Sequence, residues 1–333
     1  MKALLLKDTN QMKIEHVELP IVKADEVLIK VMYCGICGTD VHIYRGEPGS
    51  AEVNPPIILG HEFSGEIVKT GADIRTFAKG DHVAIDPNIY CGHCQYCRQG
   101  KVQLCENLQA IGVTRDGGMA EYCVVPVNSC LPLADDVPFE VGAMVEPLSC
   151  VLHGLDLVEP ITPATKVLII GGGFIGSLFL QLVCSKSPGK VAVCEINTKK
   201  HRLLSKLGAS TLYSNTSKID DTFDLVIECV GKPATSEAAV ASTKKGANIL
   251  LFGVPTPEAK LSLPAFDIYS KELKIMGSFI NPYTLRDAVS VINQNNVQIK
   301  PMLSHMIALE EVAEVLENFQ EKGITKAIVK VHQ

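Results

Sequence analysis

Four closely spaced cysteines are the residues of this sequence whose type and spacing most clearly define a chemistry. Cys91, Cys94, Cys97 and Cys105 follow the pattern C-x2-C-x2-C-x7-C. Two-residue gaps let successive thiolates face inward from one tight loop, and four sulfur ligands suit tetrahedral zinc without leaving a coordination position open. The pattern therefore predicts a structural zinc site in a lobe at about residues 88–108. The alternative is a loop of free thiols or disulfides, but cysteines this close are poorly placed to pair with one another.

A run of glycines follows an apolar segment near the middle of the chain. Val167–Ile170 predicts a buried parallel strand, Gly171–Gly173 a turn, and Phe174–Ser185 a helix that ends before Pro188. The whole stretch 167–184 carries no charge and has about the length of a membrane span. Its central glycines favour strand, turn and helix instead.

The same glycines match a dinucleotide-binding fingerprint. Gly171, Gly173 and Gly176 form the pattern G-x-G-x-x-G, which permits a tight turn and the close approach of a pyrophosphate. Phe174 and Ile175 would open the helix whose N-terminus faces the phosphates. The pattern alone is weakly specific, so the strand before it and the helix after it support the prediction.

An acidic residue stands where this fingerprint expects one. Glu195 lies 19 residues beyond Gly176, directly after a second apolar segment. A carboxylate there would bind the ribose 2′-hydroxyl and repel a 2′-phosphate, so we expect NAD as the cofactor. Lys199 and Lys200 follow closely and keep NADP open. Glu195 could alternatively serve only as a favourable charge at the start of the next helix.

Alternating strands and helices around the fingerprint predict a doubly wound parallel sheet. The strands are predicted at Lys190–Cys194, Leu225–Cys229, Asn248–Phe252 and Leu273–Met276, and the helices at Asn197–Leu207 and Ala234–Thr243.

The first 150 residues have a different sequence pattern. Short valine-rich runs such as Glu26–Val31 and Phe63–Lys69 alternate with Gly and Pro, which indicates a β-rich domain. Near the end of the chain, an amphipathic helix at Leu309–Gln320 precedes a strand at Ala327–Val331, which we expect to return to the β-rich domain. The fold class is therefore α/β, with one domain at 1–150 and 284–333 and a cofactor domain at 151–283.

Composition limits the partners of this protein. The 333 residues carry 31 basic and 37 acidic side chains, a net charge of −6, without a basic tract. Neither a nucleic acid nor a membrane is therefore an expected partner, and a small molecule is. The N-terminal apolar run is too short for a signal peptide, and twelve cysteines suit a reducing compartment, so we expect a cytoplasmic protein.

Three further residues carry local clues to a second metal site. Cys37 lies between two glycines, His61 follows Gly60, and Glu146 precedes Pro147. Each clue is weak, because a lone buried histidine is more often a hydrogen-bonded core residue and an acid before proline is more often a solvated loop end.

Together these segments resemble the zinc-dependent medium-chain dehydrogenases of the alcohol dehydrogenase superfamily, in particular the sorbitol or polyol dehydrogenase branch. The resemblance covers the whole chain. It rests on CGICGTDVHIY at 34–44, LGHEFSG at 59–65, the four-cysteine lobe, DGGMAEY at 116–122, MVEPLS at 144–149 and GGGFIG at 171–176.

The resemblance implies a GroES-like catalytic domain, a Rossmann cofactor domain, NAD and two zinc ions per chain. The catalytic zinc would be held by Cys37, His61 and Glu146, with water or Glu62 in the remaining position. It would lower the pKa of a substrate hydroxyl, and the alcohol carbon would transfer a hydride to the nicotinamide.

The resemblance also implies a proton relay and an assembly. Thr39 and His42 would carry the proton to solvent, although a helix cap and a surface imidazole are the plainer interpretation of these two residues. A homotetramer or homodimer is expected.

The resemblance leaves the substrate open. Polyols or polyol phosphates are favoured, because threonine dehydrogenases typically carry Asp-Pro where this chain has Glu146 and Pro147. Animal sorbitol enzymes place Arg-Tyr where this chain has Ile280 and Asn281, so Asn281 and Tyr283 are the candidate hydroxyl-binding groups. The alternatives are an L-threonine 3-dehydrogenase and, from another class, a noncatalytic zinc- and nucleotide-binding protein.

Overall fold

The computed structural model describes residues 1–319 and 323–332 and divides the chain into two compact units. The first unit comprises Met1–Ser149 and Ile280–Gln333, and the second comprises Cys150–Phe279. The chain therefore leaves the first unit once and returns to it. The sequence-based boundaries were 150/151 and 283/284.

The strands of both units follow in chain order. They are β1 (Lys2–Asp8), β2 (Gln11–His16), β3 (Glu26–Ile36), β4 (Ile57–Ile58), β5 (Glu62–Thr70), β6 (His82–Ile85), β7 (Asn88–Ile89), β8 (Gln109–Ala110), β9 (Tyr122–Pro126), β10 (Cys130–Pro132), β11 (Lys166–Ile170), β12 (Lys190–Cys194), β13 (Thr211–Tyr213), β14 (Phe223–Glu228), β15 (Thr243–Leu251), β16 (Lys274–Gly277), β17 (His305–Ala308) and β18 (Ala327–Lys330).

The described residues also form α-helices in both units. They are α1 (Gly38–Tyr44), α2 (Gln95–Arg98), α3 (Phe139–Gly142), α4 (Val145–Asp156), α5 (Phe174–Ser185), α6 (His201–Lys206), α7 (Pro233–Ala241), α8 (Ala265–Lys271), α9 (Leu285–Asn293) and α10 (Val312–Glu317).

The first unit is built around strand β3. A sheet with the order β10-β6-β5-β3-β18-β17, in which β9 also pairs with β3, carries the core of this unit. Most residues of β3 are buried, including Val27, Ile29 and Val31, because neighbouring elements cover both faces of the strand. The final strand β18 pairs antiparallel with β3, so the predicted return of the chain end to the β-rich domain is confirmed.

The two short strands β7 and β8 pair at the base of the four-cysteine lobe. The lobe between them contains α2 and a 3-10 turn at Val102–Leu104. Because these elements are too short to build an apolar core, the lobe depends on some other source of stability.

The second unit is a six-stranded parallel sheet with the order β13-β12-β11-β14-β15-β16. The strand order reverses between β11 and β14, as expected of a doubly wound fold, and ligands bind such folds at the carboxyl ends of the strands near this point. The predicted α/β class is confirmed. The predicted bounds of α5 and β12 agree with the structure residue for residue.

Three predicted helices have different bounds in the structure. Helix α7 ends at Ala241 because Thr243 already begins β15. The segment predicted as one helix at Asn197–Leu207 is a 3-10 turn at Thr198–Lys200 followed by α6. The helix predicted at Leu309–Gln320 is a 3-10 turn at Leu309–Glu311 followed by α10, and Gln320 lies outside the described residues.

Within the described ranges, no helix combines the length and the apolar character needed to cross a membrane. The uncharged stretch 167–184 is divided between β11 and α5.

Candidate metal centres and cofactor site

The four cysteine sulfurs of the lobe lie together. The Sγ atoms of Cys91, Cys94, Cys97 and Cys105 are all within 4.8 Å of one another, and those of Cys91 and Cys97 are 4.0 Å apart. The structure therefore brings together the four residues that the spacing singled out.

Backbone N–H groups of the lobe point at these sulfurs. Cys94 N–H donates to Cys91 Sγ at 3.4 Å, and Cys97 N–H donates to Cys94 Sγ at 3.5 Å. Backbone N–H donation from His93 and Cys94 lowers the pKa of the Cys91 thiol to about 6, and donation from Cys97 and Glu106 lowers that of Cys94. Because several thiolates this close would repel one another, the donor set fits a divalent cation of the zinc type.

A second group of metal-binding side chains lies in the same unit. The ligand atoms of Cys37, His61 and Glu62 are within 4.8 Å of one another. Cys37 lies between β3 and α1, and Glu62 begins β5, which pairs with β3 so that Glu62 lies opposite Gly35. Adjacent residues of a strand normally face apart, yet His61 and Glu62 both reach this group. Sulfur, imidazole and carboxylate together fit a zinc ion.

Asp40 contacts two residues of this second group. It was not among the site residues predicted from the sequence. Its side chain is fully buried, its Oδ2 accepts the Cys37 N–H at 2.8 Å, and its Oδ1 lies 3.5 Å from His61 Nδ1. Burial opposes a charge on His61, but the Asp40 carboxylate outweighs it and raises the pKa of His61. A carboxylate hydrogen-bonded to the outer nitrogen of a metal-binding histidine orients the ring. Asp40 Oδ1 and His61 Nδ1 are close to this arrangement, although they form no hydrogen bond in the structure. The sequence does contain a signal for Asp40: it lies three residues after Cys37, the N-cap of α1, where an acidic side chain commonly accepts the N-cap N–H.

Lys326 is a second residue that sequence reasoning missed. Its ammonium pairs with Glu62 Oε2, and the side chains are only 6% and 1% exposed. Burial lowers the pKa of Lys326, but the Glu62 charge outweighs burial and raises it. Gly35 makes room for this pair, because a Cβ atom there would lie 2.2 Å from Glu62 Oε2. Glu62 therefore faces a cation of the protein as well as the proposed metal.

Glu146 is buried in the first turn of α4 and not in a solvated loop. Pro147 is compatible with this helix because the N–H groups of a first turn have no partner within the helix. Among the described residues, the ligand atoms within 4.8 Å around Cys37 are those of His61 and Glu62, so Glu146 lies outside that group.

Helix α1 carries the two residues predicted to transfer protons. Thr39 and His42 are three residues apart on this helix and therefore face the same side. Cys37 Sγ lies 3.7 Å from Thr39 Oγ1, which connects the hydroxyl to the metal-binding group. His42 is partly exposed, with 25% of its side chain accessible, so it has a route to solvent.

The glycine turn of the second unit has room for a ligand. Gly171 adopts φ +101°, which disfavours any side chain, and a Cβ atom on Gly176 would lie 1.8 Å from the Gly171 carbonyl oxygen. A Cβ atom on Gly173 would meet nothing within 4 Å. Gly173 is the N-cap of α5, and the helix begins with Phe174 and Ile175, whose N–H groups lie in the first turn, at the positive end of the helix dipole. This cradle fits a dinucleotide pyrophosphate.

Glu195 lies directly after β12, at the carboxyl end of the parallel sheet. Its Oε2 accepts the Gly172 N–H at 2.9 Å and its Oε1 accepts the Asn197 N–H at 2.7 Å. The carboxylate is thus held beside the glycine turn by two backbone groups, one of which belongs to that turn.

Comparisons with known proteins cover almost the whole chain. The alcohol dehydrogenase GroES-like domain matches residues 23–135, and the zinc-binding dehydrogenase model matches residues 175–294. D-arabinitol dehydrogenase 1 of Uromyces fabae is 30% identical, covering 99% of this chain and 97% of the relative. The chain belongs to the zinc-binding dehydrogenases.

Two further proteins that resemble this chain differ from the first in their named activity or bound cofactor. L-threonine 3-dehydrogenase of Symbiobacterium thermophilum is 31% identical, covering 91% of this chain and 90% of the relative. A zinc-binding dehydrogenase of Sinorhizobium meliloti solved with NADP is 35% identical, with a TM-score of 0.94 and 99% of each chain covered. Zinc and NAD or NADP are the cofactors expected of this dehydrogenase, and membership of the family sets aside the noncatalytic alternative.

Asn281 of this dehydrogenase is part of a buried hydrogen-bond chain. Its Oδ1 accepts from Asn88 Nδ2 and its Nδ2 donates to Ser149 Oγ, both at 2.7 Å. Because its side chain is fully buried and both ends of its amide are engaged, the expectation that it binds substrate hydroxyls is wrong. Tyr283 is 68% exposed.

Proposed function

We propose that this dehydrogenase oxidises a secondary alcohol of a polyol or polyol phosphate to the ketose, with NAD as the hydride acceptor. The observation that carries the proposal is the convergence of Cys37, His61 and Glu62 beside helix α1 with its Thr39 and His42. A closed sulfur site has no coordination position for a substrate, whereas this second group combines different ligand types with groups that transfer protons.

Cys37, His61 and Glu146 would hold the catalytic zinc, with Glu62 or water in the remaining position. Glu146 lies outside the group of ligand atoms around Cys37 and would have to join it when the metal binds. When bound there, zinc supplies a positive charge that lowers the pKa of a substrate hydroxyl. Cys91, Cys94, Cys97 and Cys105 would hold the structural zinc. Asp40 keeps His61 oriented, and Lys326 balances the Glu62 charge whenever that carboxylate is not a ligand.

Thr39 and His42 would take the proton that the alcohol loses. Thr39 is the nearer hydroxyl to the metal-binding group, and His42 is the partly exposed acceptor from which the proton passes to solvent. Histidine suits this role because its ordinary pKa lies close to neutrality.

Gly171, Gly173, Phe174, Ile175 and Gly176 would bind the pyrophosphate, and Glu195 would bind the adenosine ribose. A carboxylate held by two backbone N–H groups cannot easily turn away from a 2′-phosphate, which supports NAD over NADP. In Glu195→Gln, we expect the ratio of kcat/KM for NAD to that for NADP to fall by about 10-fold or more, equivalent to ~1.4 kcal/mol. Glu258→Gln, at an exposed site of the same unit, is the control. An unchanged ratio would contradict the role of Glu195.

The substrate proposal rests on the arabinitol dehydrogenase relative and on Glu146 preceding Pro147. L-threonine is the second candidate, because a threonine dehydrogenase relative has similar identity. The test is NAD reduction at 340 nm by the zinc-loaded protein with sorbitol, xylitol, arabitols, galactitol, hexitol phosphates and L-threonine. Turnover of a polyol supports the proposal, and turnover of L-threonine alone would replace the substrate class.

A homodimer or homotetramer in the cytoplasm completes the proposal. Two aromatic side chains of α8, Phe266 and Tyr269, are 75% and 79% exposed, and the edge strand β16 follows this helix in the sequence. A second copy of the chain would cover such a surface. The cysteines of the described residues are free thiols, which suits a reducing compartment. Sedimentation analysis tests the assembly, and a monomer at micromolar concentration would contradict it.

A further inference from the structure

Helix α1 ends in a backbone motif that brings Glu47 to His42. Gly46 adopts φ +84°, its N–H donates to the Ile43 carbonyl at 3.0 Å, and the Glu47 N–H donates to the His42 carbonyl at 2.9 Å. These two bonds define the Schellman motif, in which the residue after the glycine returns to the last turn of the helix. The glycine is required because a side chain is disfavoured at this φ.

The side chains that meet at this motif are unusual. The residue after the glycine commonly makes an apolar contact with the last turn of the helix. Here the corresponding side chains are Glu47 and His42, and Glu47 Oε2 contacts His42 Nδ1. The Glu47 side chain is 31% exposed and that of His42 is 25% exposed, so both are partly shielded from water. An ion pair of this exposure adds little stability to the fold. The contact therefore matters mainly for where the His42 ring carries its proton.

The contact decides which nitrogen of His42 carries the proton. An ionised carboxylate only accepts hydrogen bonds, so His42 Nδ1 must donate, and the neutral ring then keeps Nε2 as its free acceptor. We propose that Glu47 is a positioning residue for the proton relay: it fixes the tautomer and the orientation of His42 so that Nε2 takes the proton. This inference rests on the relay role of His42 in the proposed function.

Nitrogen NMR of the zinc-loaded protein, labelled at histidine, tests the tautomer directly. At a pH where His42 is neutral, we expect Nδ1 protonated in the wild type. In Glu47→Gln the amide oxygen can still accept, so the tautomer should be kept. In Glu47→Leu the apolar contact usual for the motif preserves the helix end, but the acceptor is lost and the tautomer should shift toward Nε2–H. Protonation at Nε2 in the wild type, or no shift in Glu47→Leu, would overturn the proposal.

Turnover separates this inference from the function on which it rests. We expect Glu47→Leu to lower kcat about tenfold with little change in KM, a part of the 10²–10⁴-fold that general acid–base groups contribute. Glu47→Gln should stay close to wild type, as should Glu52→Leu, which changes an exposed carboxylate five residues further along the chain. In a His42→Gln background, Glu47→Leu should have no further effect.

Two remaining outcomes have distinct meanings. A tautomer shift with unchanged turnover, in a protein whose His42→Gln variant is also fully active, would confirm the positioning by Glu47 and refute the relay. A loss of turnover in Glu47→Leu that persists in the His42→Gln background would show that Glu47 does not act through His42, and would overturn the inference.

Discussion

The four-cysteine lobe and the group around Cys37 both bring metal-binding side chains together, but they differ in ligand types and in how they are built. The lobe takes its sulfurs from residues 91–105 and surrounds them with backbone N–H groups of the same loop. The Cys37 group combines Cys37, between β3 and α1, with His61 and Glu62 at the start of β5, and Asp40 and Lys326 are buried beside them.

The difference indicates different tasks. Four sulfurs held by their own loop make a closed site that stabilises a region without a core of its own. The Cys37 group has mixed ligands and a carboxylate, Glu62, that faces a competing cation within the protein. We propose that this competition for Glu62 lets the group change its coordination, as a site that binds and releases a substrate requires.

Replacing Cys37 should have the largest effect. We expect Cys37→Ser to lower kcat on the order of 10³-fold or more, because metal polarisation of a substrate is worth several kcal/mol. The zinc content should fall from two ions per chain to one, with the lobe still occupied. The control is Cys184→Ser, which changes a thiol of the second unit that donates to the Gly208 carbonyl. Full turnover in Cys37→Ser would refute the assignment of the catalytic metal.

Replacing Cys97 should affect the stability of the protein more directly than its turnover. We expect Cys97→Ser to open the closed site, release its zinc and lower the free energy of unfolding by several kcal/mol, because metal binding contributes to folding. Zinc content and thermal unfolding measure the effect. His93→Ala is the matched control, because His93 lies in the same loop with its Nδ1 2.8 Å from the Cys91 carbonyl oxygen. Zinc loss in His93→Ala, or none in Cys97→Ser, would contradict the four-sulfur assignment.

The buried pair of Lys326 and Glu62 should respond strongly to removal of one partner. Lys326→Met leaves the Glu62 carboxylate buried without its cation, which typically costs about 3–5 kcal/mol of unfolding free energy. Adding Glu62→Gln removes that charge and should restore most of the loss. Urea unfolding of the two single variants and the double variant measures the coupling.

A surface pair provides the control for this cycle. Lys7 Nζ and Glu15 Oε2 are 2.8 Å apart, with side chains 37% and 32% exposed. We expect Lys7→Met to cost less than about 1 kcal/mol. A cost of Lys326→Met no larger than this would show that Lys326 is not a buried partner of Glu62.

The four-cysteine lobe and the Cys37 group also differ in how much of them the sequence could predict. The cysteine lobe and the glycine turn were visible because their chemistry lies in consecutive residues, and the apolar run of β12 gave its bounds directly. Lys326 was not visible, because its position depends on the register in which Ala327 lies opposite Ile36. The engagement of Asn281 likewise depends on Asn88 and Ser149, which are distant in sequence. Such contacts are set by topology, which local patterns do not contain.

The smallest effect concerns Asp86, a partly buried carboxyl between β6 and β7 at the base of the cysteine lobe. Burial raises its pKa to about 7, although its Oδ1 accepts the Asn88 N–H at 2.9 Å. Between the ordinary value near 3.8 and about 7, the folded state therefore retains a proton that the unfolded state has lost. The stability that Asp86 contributes is complete below the lower value and is lost as the pH rises through the upper one.

Asp86→Asn should remove this pH dependence while keeping an oxygen that accepts the Asn88 N–H. We expect the variant to gain stability over the wild type as the pH rises from 5.5 to 8.5, by roughly 1 kcal/mol once partial exposure is allowed for. Urea unfolding at several pH values measures the difference, with Asp136→Asn as the exposed control. A gain that is independent of pH would show that Asp86 is ionised throughout this range. The base of the lobe would then tolerate a charge as readily as the Cys37 group tolerates Asp40, and burial of charge would no longer distinguish the two regions.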